Sequence, residues 1–351
     1  MQAIGIERGA DSPGLVDVPP PERGAGEALV RTLRVGVDGT DHEVIAGHHG
    51  GPPAGEDYLV LGHEAVGVVE ASDGDFETGD VVVPTVRRPP NGEENRYFER
   101  GEADMAPPGA ALERGIDGAH GFMSEYFTSP AECLVELPAD LARWGFLVEP
   151  VSISEKALEL AYASRSSFGW EPKTALVLGN GSLGLLTVAM LVEDYEVYCV
   201  GRRDRPDPTI DIIERLGATY VDSRETPVDE FAEIHGPADI VYEATGYAKH
   251  AVRSVPALGP NGVAALLGVP GPWTFDIDGG RLHKDIVMHN KAIVGSVNSG
   301  PRHFRAAVGR LADMPEWFLE DLVTRVVSVE EFGAAFEESK TTIKTAVEFE
   351  S

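Results

Sequence analysis

A chain of 351 residues exceeds what one ordinary core holds, so two domains are the default. Its 58 acidic against 29 basic residues give a formal charge of −29, a field that repels nucleic acid and anionic membranes and excludes both as partners. Cys133 and Cys199 are the two cysteines, without C-x-x-C spacing, which rules out a thiolate metal cage and points to a reducing, cytoplasmic setting.

The acid is spread along the chain, and only seven of the basic residues are lysine. That is the surface of a halophilic protein, which repels itself in dilute buffer and relies on salt for screening. No signal peptide is visible at the N-terminus.

Residues 1–85 are punctuated by glycine and proline and carry short β-like runs, clearest at Glu27–Val37, 59–61 and 65–69. Two stretches there bear groups suited to chemistry: Val37-Asp38-Gly39-Thr40-Asp41-His42 and Gly62-His63-Glu64-Ala65-Val66-Gly67. His63-Glu64 would open the zinc-protease motif H-E-x-x-H, but Gly67 stands in the fifth position and excludes it. Asp38, His63 and Glu149, which precedes Pro150 where the β-rich half ends, offer three N/O ligands. Three such ligands with one open position suit a catalytic zinc; the competing reading is hydrogen bonding within the fold. Residues 87–118 are polar, and without cysteine or histidine they cannot form a thiolate zinc site. Glu93, Glu94 and Asp104 read as hydrated surface groups, so this lobe must be held another way or stay mobile.

Residues 154–164 have helical spacing and lead into the second half. Thr174–Leu178 is a β-like run, followed by Gly179-Asn180-Gly181-Ser182-Leu183-Gly184, an apolar helical stretch at 185–192 and a second β-like run at 197–200. This is the dinucleotide-binding βαβ unit. Gly179 permits the turn, Gly181 lets backbone approach a pyrophosphate, and Gly184 lets helix and strand pack closely. The pyrophosphate would sit on the helix N-terminus at Ser182 and Leu183, where free N–H groups favour anions. The 19 uncharged residues 174–192 border on the length of a membrane span, but the glycines, asparagine and serine split them into two short pieces. Cys199 reads as a small buried apolar residue.

An NAD site places an acid about 20 residues past the glycines, on the ribose. This chain reads Gly201-Arg202-Arg203 there: glycine leaves room, and two guanidiniums suit the 2′-phosphate of NADP. The competing reading is a solvated arginine pair with Asp204 on the ribose. A helix at 209–216 and strands at 219–221, 238–242, 262–269 and 292–297 complete an α/β, doubly wound parallel sheet. Gly268-Val269-Pro270 and Ser296-Val297-Asn298 fall at strand C-terminal ends, where ligands bind. The chain closes on a strand-like stretch at 340–348.

GVDGTDHEV, LGHEAVGVV, GAHGFMSEYF, VEPVSI, LVLGNGSLG and VYEATG stand in the order and spacing of the zinc-dependent medium-chain dehydrogenases. The resemblance covers essentially the whole chain. On its GNGSLG turn, its Gly-Arg-Arg and Gly295-Ser296-Val297-Asn298, it most resembles the archaeal glucose dehydrogenases, halophilic ones especially. The resemblance implies a GroES-like β-rich catalytic domain at 1–153 and 290–351 around a Rossmann domain at 154–289, with a cleft between them. It implies oxidation of D-glucose to gluconolactone, with NADP preferred to NAD, one zinc ion per subunit and a homo-oligomer, dimer or tetramer. Asp38 takes the place of the family's usual cysteine, His63 matches its histidine ligand, Glu64 the acid that can enter the metal shell, and Glu149 the ligand at the junction. A hard carboxylate for a soft thiolate of equal charge still binds zinc, less tightly.

Thr40 matches the hydroxyl that touches the substrate oxygen and starts the proton relay. Glu113 aligns with an acid on the sugar hydroxyls, against the alternative of a surface acid paired with Arg114. Residues 268–270 and 296–298 would line the nicotinamide, with the Asn298 amide and Glu149 reaching the substrate. Two other functions compete: a polyol or secondary-alcohol dehydrogenase with the same metal, and a zinc-free nucleotide-binding protein of the same fold.

Overall fold

The computed structural model of the protein describes residues 1–93, 95–337 and 339–349. Its elements begin with β1 (Gln2–Glu7), β2 (Gly14–Asp17), β3 (Glu27–Val37), α1 (Gly39–Ile45), β4 (Tyr58–Val60), β5 (Glu64–Ser72), β6 (Val81–Pro84) and β7 (Arg87–Arg88). Then come α2 (Arg96–Glu99), β8 (Leu112–Arg114), β9 (Gly118–Ala119), β10 (Tyr126–Pro130), β11 (Leu134–Glu136), α3 (Val148–Ala163), β12 (Thr174–Leu178), α4 (Ser182–Leu191) and β13 (Glu196–Gly201). They continue with α5 (Pro208–Arg215), β14 (Thr219–Asp222), α6 (Phe231–His235), β15 (Ala238–Glu243), α7 (His250–Ala257), β16 (Leu258–Leu266), α8 (Gly279–Met288) and β17 (Ala292–Gly295). Last are α9 (Pro301–Asp313), α10 (Glu316–Leu322), β18 (Val323–Ser328) and β19 (Lys344–Glu348).

The chain divides into two units, Met1–Ser152 with Asn298–Ser351, and Ile153–Val297. The second boundary thus falls at Asn298, later than the expected 290. The reason is β17, which pairs in parallel with β16 and so keeps Ala292–Gly295 in the nucleotide unit.

In the first unit a seven-stranded sheet runs β11-β6-β5-β3-β19-β18, with β10 also on β3. Strand β3 is central. Its neighbour β5 sets Glu64 opposite Gly36, and β19 sets Thr345 opposite Val37, so both strands deliver a side chain beside the exit of β3. Gly36 is demanded by this packing, since a Cβ there would stand 2.1 Å from Glu64 Oε2.

The lobe at 87–118 is held by arginine. Arg87 Nη1 donates to the carbonyls of Ala103, Asp104 and Ala106 at 3.0–3.1 Å, and Arg88 Nη2 donates to Ser129 Oγ at 2.8 Å. Asp104 is not a hydrated surface group as expected: it is buried and pairs with Arg302 at 3.3 Å. Glu93 is exposed, and Glu94 lies outside the described residues.

The second unit is an all-parallel sheet of order β14-β13-β12-β15-β16-β17. Leu176, Leu178, Val200, Val221, Phe231 and Val241 share its core. Helix α4 explains the uncharged run: Leu185, Leu186, Val188, Met190 and Leu191 are all buried, each contributing about 1.5–3 kcal/mol. Among the described residues, no helix is long and apolar enough to cross a membrane.

Candidate active site

Asp38 leaves β3 and caps α1. Its Oδ1 accepts from the N–H groups of Thr40 (2.8 Å) and Asp41 (3.2 Å), while Asp41 reaches back to the Asp38 N–H at 3.0 Å, a complete capping box. The Thr40 hydroxyl donates to Asp38 Oδ2 at 3.2 Å. The cap thus fixes Asp38, Thr40 and Asp41 as one unit. His63, buried at the mouth of β5, presents Nε2 to Asp38 Oδ1 at 3.6 Å and Nδ1 to Asp41 Oδ1 at 3.8 Å. Both gaps are too long for hydrogen bonds. Ligand atoms of Asp38, His63 and Glu64 lie within 4.8 Å of one another. Lys344 Nζ pairs with Glu64 Oε2 and donates to the Val37 carbonyl at 3.0 Å.

Glu149 is buried in the first turn of α3. Its charge acts on His63, but the carboxylate grouped with Asp38 and His63 is that of Glu64. Burial pushes the carboxyls of Asp41 and Glu149 up, to about 7 and about 8. Desolvation also raises Asp38, yet His63 beside it holds it well below the usual carboxylate range. Burial lowers His63, but the Asp38, Asp41 and Glu149 carboxylates outweigh it and raise the imidazole well above its ordinary value. Four carboxyls, one ammonium and one imidazole are gathered in a poorly solvated place, and ionising all four carboxyls there calls for a further cation. The field that draws a proton to His63 equally favours a divalent cation. N/O donors of a tetrahedral zinc stand about 3.4 Å apart, close to the Asp38–His63 separation. The donor set fits zinc, with the Asp41 carboxyl 3.8 Å from the far ring nitrogen.

Glu113 does not pair with Arg114, its competing reading: it accepts from Arg87 Nε at 2.9 Å, and Asn298 Nδ2 lies 3.5 Å from the same oxygen. Arg114 instead turns inward to the carbonyls of His120 and Thr128 and over the Phe122 ring. Two of the four residues proposed for the substrate, Glu113 and Asn298, are therefore neighbours. Asn298 holds φ +58°, with its own Oδ1 accepting from the Ser299 N–H at 2.9 Å.

In the nucleotide unit the three glycines differ as expected. Gly179 sits at φ +113°, where L side chains are strained. A Cβ on Gly184 would stand 1.9 Å from the Gly179 carbonyl oxygen, whereas one on Gly181 would meet nothing within 4 Å. Gly181 caps α4 without a side-chain hydrogen bond, and the Ser182 Oγ is buried without a partner among the described residues, so the helix N-terminus keeps donors to offer. Gly201 corrects an expectation. The room beside it is filled, since a Cβ would stand 2.6 Å from Asn180 Oδ1 and 2.8 Å from the Tyr220 ring.

Arg202 is exposed and Arg203 half-buried, with Arg203 Nη1 3.8 Å from Asp207. Asp204 is paired with Arg224 at 2.7 Å. At the other strand ends, Gly268 packs on the Gly246 backbone, Val269 and Val297 are exposed, and the Ser296 Oγ is buried without a partner among the described residues. Buried Lys156 donates to the Val297 carbonyl at 2.9 Å. Pro270 is exposed beside Val269.

Residues 24–139 match the alcohol dehydrogenase GroES-like domain family, and residues 142–349 match the glucose dehydrogenase C-terminus family. The chain belongs to the medium-chain dehydrogenases, in their glucose dehydrogenase branch. It is 63% identical over 354 residues to glucose 1-dehydrogenase of Haloferax mediterranei, covering 99% of each chain. It is 60% identical over 356 residues to that of Halobacterium salinarum, covering 100% of each. The solved structure of the Haloferax mediterranei glucose dehydrogenase in complex with NADP, Zn and gluconolactone matches at TM-score 0.98 and 63% identity, with 100% of both chains covered. The family and fold read from the sequence are borne out.

Set on this dehydrogenase framework, three residues that sequence reasoning passed over now stand out. Asp41 could have been found from the D-x-x-D capping pattern of residues 38–41. Lys344 carries no local signal; only the register of β19 against β3 places it. Arg224 lies beyond β14, and its reach to Asp204 depends on the sheet order.

Proposed function

We propose that the protein oxidises D-glucose to D-glucono-1,5-lactone and reduces NADP, using one zinc ion per subunit, with NAD the weaker cofactor. The observation that carries this reading is the Asp38–His63–Glu64 donor set within the glucose dehydrogenase framework. When bound, zinc supplies Lewis acidity toward the anomeric oxygen and the nicotinamide accepts the hydride from C1.

The rest is the work of this chain. Asp38 and His63 hold the metal, with Glu64 and Glu149 as carboxylates able to enter its shell. Lys344 and Asp41 restrain Glu64 and His63 from behind. The Thr40 hydroxyl, oriented by its bond to Asp38, would accept the anomeric proton while giving its own proton to solvent water. Glu113, Asn298 and Glu149 position the sugar hydroxyls, and fixed polar groups of this kind discriminate against substrates that cannot pair with them. Gly179, Gly181, Ser182, Leu183 and Gly184 cradle the pyrophosphate, and Arg202 and Arg203 grip the 2′-phosphate. Residues 268–270 and 296–298 line the nicotinamide.

The reading extends to a homo-oligomer in the cytoplasm. Strand β17 is an outer strand of its sheet, with Ile293 exposed, and Val287 and Met288 on α8 are more than half exposed. An unpaired edge with apolar neighbours suits a second copy, which a mass by sedimentation would detect. Both cysteines are free and buried, which suits a reducing compartment.

The test is NADPH formation from D-glucose in molar KCl, before chelation, after it and after zinc is restored. Turnover that needs the metal and favours glucose supports the reading. Far faster turnover of sorbitol would move the protein to the polyol dehydrogenases.

A further inference from the structure

Strand β13 ends at Gly201 beside Asp222 at the end of β14, and two carboxylates meet there, those of Asp204 and Asp222. Each is the residue type that binds ribose hydroxyls in an NAD site, and each would repel a 2′-phosphate. Both are taken by one side chain. Arg224 Nη2 lies 2.7 Å from Asp204 Oδ1 and 2.5 Å from Asp222 Oδ2, and Nε lies 2.9 Å from Asp222 Oδ1. The same Nη2 lies 3.4 Å from the Arg203 carbonyl oxygen. The Tyr220 hydroxyl completes the fastening: it accepts from the Arg203 N–H at 2.9 Å and donates to the Arg203 carbonyl at 3.2 Å.

We propose that Arg224 is a positioning residue that sets cofactor preference: it occupies Asp204 and Asp222, so that neither binds a ribose 2′-hydroxyl nor repels the 2′-phosphate, and it steadies the turn presenting Arg202 and Arg203. The proposal rests on the NADP reading above. Alone, an exposed ion pair contributes little to stability. Its effect here is on discrimination, which is a difference between two affinities and responds to a displaced repulsive group.

The experiment is equilibrium titration of NADPH and NADH by nucleotide fluorescence, without sugar, in one molar KCl, for the wild type, Arg224→Gln and Arg224→Gln/Asp204→Asn. We expect Arg224→Gln to weaken NADPH about tenfold or more while NADH is unchanged or tighter, and the added Asp204→Asn to recover part of that loss. Equal weakening of both nucleotides would overturn the proposal, because a merely structural role acts on both. Failure of Asp204→Asn to recover NADPH binding would also overturn it, because Arg224 would then act on the phosphate directly. Should Arg224→Gln not fold, Asp204→Asn/Asp222→Asn with Arg224 intact decides: NADPH binding kept or improved supports the proposal, and its loss overturns it. A wild type with no preference for NADPH would instead defeat the underlying cofactor reading.

Discussion

Asn298 Nδ2 and Arg87 Nε converge on a single atom, Glu113 Oε1, at 3.5 Å and 2.9 Å. Arg87 also ties down three backbone carbonyls of the lobe, so the orientation of Glu113 and the order of the lobe depend on the same guanidinium.

Replacing Arg87 by alanine leaves those carbonyls without their donor and Glu113 with Asn298 alone. The expected loss is on the order of 2–4 kcal/mol, with cleavage sites opening inside residues 87–118. Thermal melting in molar KCl with limited proteolysis checks this. An unchanged midpoint and an uncut lobe would show that other contacts suffice.

Gly184 and Gly181 separate folding from binding. Gly184→Ala drives a methyl into the Gly179 carbonyl and should lower stability by about 1–3 kcal/mol, with nucleotide binding lost alongside. Gly181→Ala meets open space and should melt as the wild type does while binding NADPH more weakly. A Gly181→Ala protein with wild-type affinity would place the pyrophosphate elsewhere.

Removing both Arg202 and Arg203 should weaken NADPH by about 10- to 1000-fold and leave NADH nearly unchanged, since charge-assisted contacts to a phosphate are strong. Paired titrations read the result. Equal losses for both nucleotides would assign the arginines to folding.

With a charge of −29, activity and thermal midpoint should rise from dilute buffer to molar KCl as screening relieves self-repulsion. A melting series in KCl measures it. A protein equally stable without salt would leave the acidic surface needing another cause.

Elemental analysis should find one zinc ion per chain. Chelation should remove it together with activity, while the far-ultraviolet spectrum stays folded. Two tightly held ions, or full activity in a metal-free preparation, would contradict this, the first by giving the arginine-held lobe a metal of its own.

Local patterns were readable from the sequence to the extent that they were local. The glycine turn and the strands around it are contained in a few residues, and the structure builds them as read, whereas the Asp38 stretch opens helix α1, which was not read. The start of α3 was missed: 154–164 read as the helix, but it begins at Val148 and so carries Glu149 in its first turn. Asp104 read as a surface acid because its partner, Arg302, is nearly 200 residues away. Lys344 and Arg224 were invisible for the same reason, since strand register and sheet order bring them to their partners.

Asp38 has a further consequence through its two tasks. It caps α1 through the N–H groups of Thr40 and Asp41, and it faces His63 in the proposed donor set. Helix caps favour asparagine, aspartate, serine, threonine and glycine; zinc accepts cysteine, histidine, aspartate and glutamate. Aspartate alone belongs to both alphabets. A mutational walk through position 38 would therefore meet two independent filters, and each single replacement would have to surrender either the helix start or the donor.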